Sequence, residues 1–148
     1  MSLDVYLEIR GDPVPRAGTG VFIREDGATR ELTAEEVASK WPDAEVSVQQ
    51  YEVNEVYWRN ITHNLNKMAD EAGIYKHLWH PGEVGITTAG QLIEPLAAGL
   101  ELLRSDPERF KKFNPDNGWG KYEGLVEFVA DYLNACREYP DATVRASA

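Results

Sequence analysis

The chain has 148 residues and a formal net charge of −10, from 15 basic and 25 acidic side chains. This length suits one domain that buries enough apolar surface to fold without disulfides or a structural metal. The 43% share of hydrophobic residues excludes a disordered chain, and the acidic balance argues against nucleic acid or an anionic membrane held by a broad basic surface.

Several classes of protein are excluded by what the sequence lacks. One cysteine, Cys136, cannot form an intramolecular disulfide, and no apolar run approaches the length of a membrane span. No signal peptide, phosphate loop, dinucleotide motif or nucleophile elbow is recognisable. The sequence therefore predicts a soluble, cytoplasmic protein of a single domain, 1–148, with no cofactor, no membrane partner and no recognisable catalytic residue.

Strand patterns dominate the first third of the chain. Apolar residues at every second position over Leu3–Ile9 predict a strand with one apolar face. Asp26-Gly27 separates two short β-like runs and predicts a hairpin, because both central residues of that turn take positive φ. Thr33 and Glu36 match the capping box of a short helix, and the β-branched and aromatic residues of 45–53 predict a further strand.

Helical patterns dominate the second half. We expect a middle helix with Asn60 as its N-cap that ends at Ala72, and a second helix over about 88–104. The last helix, over about 122–136, has the clearest apolar stripe, and 143–145 predicts a short strand. Together the elements predict an α+β fold: an antiparallel sheet, mostly from the N-terminal half, covered on one face by three or four helices.

The start of the expected middle helix offers one candidate site. Asn60, His63 and Asn64 are spaced to share one helical face near an N-terminus, where free amides and the helix dipole suit an anionic or polar ligand. His63 is then placed to act as a general base if a carboxylate orients it. The alternative, which we favour, is that Asn60 caps the helix and His63 makes a satisfied hydrogen bond to a neighbouring strand.

The remaining histidines offer a candidate metal site. His77 and His80 are three residues apart, so they project from one face if 74–80 is helical. That spacing suits one metal ion, with His63 or Glu83 completing the ligand set. The alternative is that His77 and His80 are two surface histidines beside a proline.

A segment rich in Asn, Pro and Gly, residues 114–120, predicts an ordered turn around Trp119. Trp119 is either an exposed binding aromatic or a side chain that folds back into the core. We expect the second, because tryptophan buries a large apolar area. A sugar-binding cleft formed by Trp58, Trp79 and Trp119 is a further alternative that rests on composition.

Two motifs carry a resemblance to other proteins. They are Asn60-Ile61-Thr62-His63-Asn64-Leu65, and Asn114-Pro115 followed by Asn117-Gly118-Trp119-Gly120. Both resemble a family of small uncharacterised bacterial and phage proteins, and the similarity covers roughly residues 46–148. The resemblance implies a soluble, cytoplasmic, phage-related protein of one domain, and it brings no activity, ligand or catalytic residue with it.

The sequence therefore leaves two candidate functions. An acidic surface without a coherent catalytic set favours a non-enzymatic binding or accessory domain that acts through contacts with a protein partner. The alternative is a small enzyme or ligand-binding domain that uses the polar site near Asn60, assisted by a metal ion at His77 and His80.

Overall fold

The computed structural model describes residues 2–148. Over that range the elements are β1 (Ser2–Glu8), β2 (Val14–Gly18), β3 (Phe22–Glu25), β4 (Ala28–Glu31), α1 (Ala34–Lys40), β5 (Gln49–Val53), β6 (Glu55–Thr62), α2 (Asn66–Glu71), α3 (Tyr75–Trp79), α4 (Gly90–Ser105), α5 (Pro107–Lys111), α6 (Tyr122–Glu138) and β7 (Thr143–Ser147). Short 3-10 turns lie at His63–Leu65 and Pro81–Val84. None of the helices in this range has both the length and the apolar character needed to cross a bilayer.

The main sheet is antiparallel and has five strands in the order β3-β4-β6-β1-β7. β2 and β5 form a separate two-stranded ribbon. A backbone hydrogen bond of 2.8 Å from Ile9 N to Asn54 O joins the ribbon to the β1–β6 pair. Four of the five sheet strands come from the N-terminal half, so the predicted α+β fold with an antiparallel sheet is confirmed.

One hydrophobic cluster lies between the sheet and the helices. Leu3, Val5 and Leu7 are fully buried on one face of β1, as their period-2 spacing predicts. α4 and α6 pack against each other, and α6 also packs on β6. Their buried residues include Leu92, Leu96, Leu100, Leu103, Leu125, Phe128, Val129, Tyr132, Leu133 and Cys136.

Several local predictions are confirmed. Asp26 and Gly27 have φ values of +52° and +83° and form the hairpin turn between β3 and β4. Thr33 and Glu36 form both hydrogen bonds of the capping box at the start of α1. The strand expected over 45–53 is shorter, since β5 begins at Gln49.

The start of the middle helix differs from the prediction. Asn60 does not cap a helix: it lies within β6, opposite Asp4 of β1 and Thr29 of β4. The Thr62 hydroxyl accepts from Asn64 N at 3.4 Å and caps the 3-10 turn instead. Pairing with strands on both sides outweighs the local capping preference of asparagine. Asn60, His63 and Asn64 therefore do not share a helical face.

Candidate functional site

Asn60 is held in a hydrogen-bonded network on the face of the sheet opposite the helices. Its side-chain Nδ2 donates to Asp4 Oδ1 at 2.8 Å and to Ser2 Oγ at 3.0 Å. The Thr29 hydroxyl donates to Asn60 Oδ1 at 3.4 Å. Asn60 is 6% exposed, and both of its amide hydrogens are used. These contacts join β6 to β1 and β4 and leave the amide no donor for a ligand.

His63 is engaged with an aromatic side chain rather than a carboxylate. The Nε1 of Trp79 donates to His63 Nδ1 at 3.0 Å, and Asn66 Nδ2 lies 3.4 Å from His63 Nε2. Trp79 is buried, and its indole N–H needs this acceptor. Since Nδ1 accepts this hydrogen bond, it carries no proton of its own. This geometry suits a structural role for His63.

Replacing His63 should therefore destabilise the fold. His63→Ala leaves the buried Trp79 N–H without an acceptor, at an expected cost of about 1–3 kcal/mol. Urea denaturation measures the change. The matched control is the same substitution in a Trp79→Phe background, where the cost should be clearly smaller because no indole N–H is left to satisfy. Equal costs in the two backgrounds would show that the hydrogen bond is not responsible.

The helix expected to carry both His77 and His80 ends before His80. α3 ends at Trp79, and His80 follows the helix as its C-cap with a φ of −138°. His80 instead lies 3.5 Å from a Glu83 carboxylate oxygen and 3.3 Å from the Tyr75 hydroxyl. Among residues 2–148, no three His, Cys, Asp or Glu side chains are grouped so that they could hold a metal ion.

Trp119 is exposed, so the expectation that it folds into the core is wrong. Its side chain is 48% exposed, and the Arg24 guanidinium lies 5.3 Å from the ring centroid. The backbone of the turn packs instead, and Asn64 Nδ2 donates to Trp119 O at 3.2 Å. The three tryptophans do not form a sugar-binding cleft: Trp79 is buried beside His63, and Trp58 lines a cleft that Trp119 does not line.

A cleft opens at a different place, where β4 and β6 separate. β4 pairs with β6 only at Ala28–Ile61 and Thr29–Asn60, and β6 then continues towards Glu55 paired with β1. The opening has a volume of about 520 Å³. It is lined by four aromatic side chains, three arginines, three acids and two smaller residues: Phe22, Tyr51, Tyr57, Trp58, Arg16, Arg30, Arg59, Glu31, Glu55, Asp131, Thr29 and Val53.

The two strands border this cleft with their edges. Three consecutive residues of each strand line it, Thr29-Arg30-Glu31 of β4 and Tyr57-Trp58-Arg59 of β6. Because successive side chains of a strand point to opposite faces, a surface lined by three in a row is the side of the strand and not one of its faces. Such an edge presents backbone N–H and C=O groups that another strand can pair with.

Two of the three arginines are paired with carboxylates. Arg30 donates to both Glu36 oxygens, at 2.9 and 2.6 Å, and to Glu25 at 3.3 Å. The hydrogen bonds from Arg30 hold the pKa of Glu36 at about 2. Arg59 Nη1 donates to Asp131 Oδ2 at 3.0 Å. The guanidinium groups of Arg30 and Arg59 are thus compensated within the chain.

Tyr57 is a neutral hydrogen-bond donor at the α6 end of the cleft. Its hydroxyl donates to Asp131 Oδ2 at 2.8 Å, and its ring stacks on Tyr132 with centroids 5.5 Å apart. Burial, with the Asp131 charge as the second cause, raises the pKa of Tyr57 well above its usual value. This end of the cleft suits binding better than proton transfer, because Tyr57 keeps its proton and Asp131 already accepts two hydrogen bonds on one oxygen.

The sequence candidates and the cleft overlap at two points, and the first is Trp58, which the sugar-binding alternative names and which lines the cleft. Asn60 borders the closed end of the cleft, whereas His63, Asn64, Trp119, His77 and His80 do not line it. The residues that do line it carry no motif, and the available signal is the frequency of β-branched and aromatic residues between Tyr51 and Trp58. No family model, curated protein or solved structure matches the chain.

Proposed function

We propose that the chain is a non-enzymatic binding domain that acts through protein contacts, and that the cleft between β4 and β6 binds an extended segment of a partner protein. The observation that carries this proposal is the pair of strand edges that border the cleft. An extended segment pairs its backbone with such an edge, and its alternate side chains enter pockets on the two sides.

The size and lining of the cleft support this proposal. Its volume of about 520 Å³ falls within the usual range of binding sites, about 300–1,000 Å³. Phe22 and Tyr51 line it and are 50% and 47% exposed. Aromatic side chains are enriched where proteins bind one another and often contribute most of the binding energy.

The charge of the chain supports a basic partner. A net charge of −10 attracts basic proteins and accelerates their association. It argues against nucleic acid as the partner. Residence in the cytoplasm and the relation to phages stay predictions, based on the sequence and on the family resemblance.

A matched pair of exposed aromatic residues tests the proposal. Tyr51 and Trp41 are both 47% exposed, but only Tyr51 lines the cleft. Peptides that bind the wild-type chain are selected from a displayed library of random peptides and synthesised. Tyr51→Ala should weaken their binding about tenfold, which is the loss expected for an aromatic anchor. Trp41→Ala should leave the dissociation constant unchanged.

Backbone pairing is tested on the same peptides. Methylation of the backbone nitrogens at alternate positions removes the donors that strand pairing needs, so one of the two methylated series should lose binding. Hydrogen exchange should also slow at the amide of Trp58 in the complex, because the N–H groups of β6 alternate in direction and Thr62 N, four positions further on, points to Gly27 O on the β4 side. A library without Tyr51-dependent binders, or binders that tolerate methylation in both series, would overturn the proposed function.

A further inference from the structure

One row of side chains crosses the sheet on the face opposite the helices. Strand pairing places Phe22 beside Glu31, Trp58 beside Tyr6, and Tyr6 beside Arg145. The rings of Phe22 and Trp58 meet edge to face, with centroids 5.9 Å apart. The row thus runs over all five strands, and its Phe22, Glu31 and Trp58 end lies in the cleft.

At the β7 end of the row the chain supplies its own cation. The Arg145 guanidinium lies 3.8 Å from the centre of the Tyr6 ring. Its Nε donates to Glu8 Oε1 at 2.7 Å. A cation between an aromatic face and a carboxylate gains from the ring quadrupole and from a charge-assisted hydrogen bond.

The cleft end of the row has the same components without the cation. Among the residues that the structure describes, no lysine or arginine lies over the ring of Phe22 or Trp58. Within 2–148, Glu31 forms no ion pair, and its Oε1 accepts a hydrogen bond from Gly20 N at 3.0 Å. Its second carboxylate oxygen is left for a donor from outside the chain.

We propose that the bound segment carries a lysine or arginine whose cationic group lies against Phe22 and Trp58 and pairs with Glu31. This inference rests on the proposed function and names the chemistry that the cleft selects. The net charge of −10 favours a cation over an anion at this position. Arg30 lies next to Glu31 in the chain, but its guanidinium is held by Glu36. It therefore does not occupy the cation position against Phe22 and Trp58.

The test uses a double-mutant cycle on the selected peptides. We expect them to share one basic position, and its replacement by norleucine, which removes the charge, should weaken binding about tenfold. Glu31→Gln keeps an acceptor for Gly20 N and should cause a similar loss. The norleucine peptide should lose little more on Glu31→Gln, since one interaction cannot be removed twice. The control is Glu35→Gln, which changes the net charge by the same amount at an exposed residue of α1.

Arg16 gives an independent test of whether the bound segment is basic or acidic. It lines the cleft, and among residues 2–148 it has no carboxylate partner, so it repels a basic segment and attracts an acidic one. Arg16→Ala should therefore strengthen binding of the selected peptides severalfold. Peptides that depend on Tyr51 but lack a basic residue, or that Arg16→Ala weakens, would overturn this inference and leave the proposed function standing. A library without Tyr51-dependent peptides would overturn both.

Discussion

Gly120→Ala should lower the free energy of unfolding by about 3 kcal/mol or more. Gly120 has a φ of +111°, outside the regions that residues with a side chain normally occupy. An added Cβ would also lie 2.8 Å from Thr62 Cγ2 and 3.1 Å from Leu65 Cγ. Backbone strain of about 1–3 kcal/mol and overpacking of similar size act together at this one position.

Two other glycines that lack the close contacts serve as comparisons for Gly120. Gly118, in the same turn, has a φ of +70°, and no atom of residues 2–148 lies within 4 Å of its added Cβ, so Gly118→Ala should cost only about 1 kcal/mol. Gly82 has neither feature, and Gly82→Ala should leave the stability nearly unchanged. Urea denaturation compares the three variants. Equal losses at Gly118 and Gly120 would show that contact with Thr62 and Leu65 does not matter.

The position of Gly120 also shows that the two motifs, distant in sequence, meet in the fold. Thr62 and Asn64 belong to the first motif, and Trp119 and Gly120 to the second. Gly120 packs against Thr62, and the Asn64 amide donates to the Trp119 carbonyl at 3.2 Å. The two motifs therefore form one joint between the end of β6 and the turn before α6. Packing and hydrogen bonding account for their polar and glycine residues without a ligand.

The elements that could be predicted are those with strong local signals. The alternation in β1, the Asp26-Gly27 turn and the capping box at Thr33 depend on neighbours in sequence, and the structure confirms each of them. The N-cap prediction for Asn60 is wrong because it, too, depends only on neighbours in sequence. An asparagine before a helical stretch resembles an N-cap, and only pairing with Asp4 and Thr29, far away in the chain, shows that it belongs to a strand.

The cleft could not be predicted, because it arises where long-range pairing stops. Nothing local marks Arg30 and Arg59 as residues on opposite sides of an opening. Their compensation by Glu36 and Asp131 is likewise a property of the fold, since Arg59 and Asp131 are 72 positions apart. Composition predicts the acidic character of the chain. The strand pairing and the ion pairs of the fold decide which charges and aromatic rings remain available to a partner.

Stability should fall steeply above pH 9. Burial raises the pKa of the Cys136 thiol from 9.0 to about 12. The folded state therefore binds a proton that the unfolded state releases between these two values. The contribution of this proton to the free energy of unfolding is complete below pH 9. It is lost as the pH rises, by about 1.4 kcal/mol per pH unit and about 4 kcal/mol by pH 12. Urea denaturation at a series of pH values measures the slope.

Two variants assign that slope to particular groups. Cys136→Ala costs some packing at every pH, but it should flatten the fall in stability from pH 9 upwards, because no thiol remains to titrate. Burial also raises the pKa of Tyr132 far above the usual value, and within the described residues 2–148 its buried hydroxyl has no hydrogen-bond partner. Tyr132→Phe should therefore leave stability near pH 7 unchanged or slightly higher and flatten the fall only above about pH 10. If Cys136→Ala keeps the wild-type slope between pH 9 and 10, ionisation of the buried thiol is not what weakens the fold.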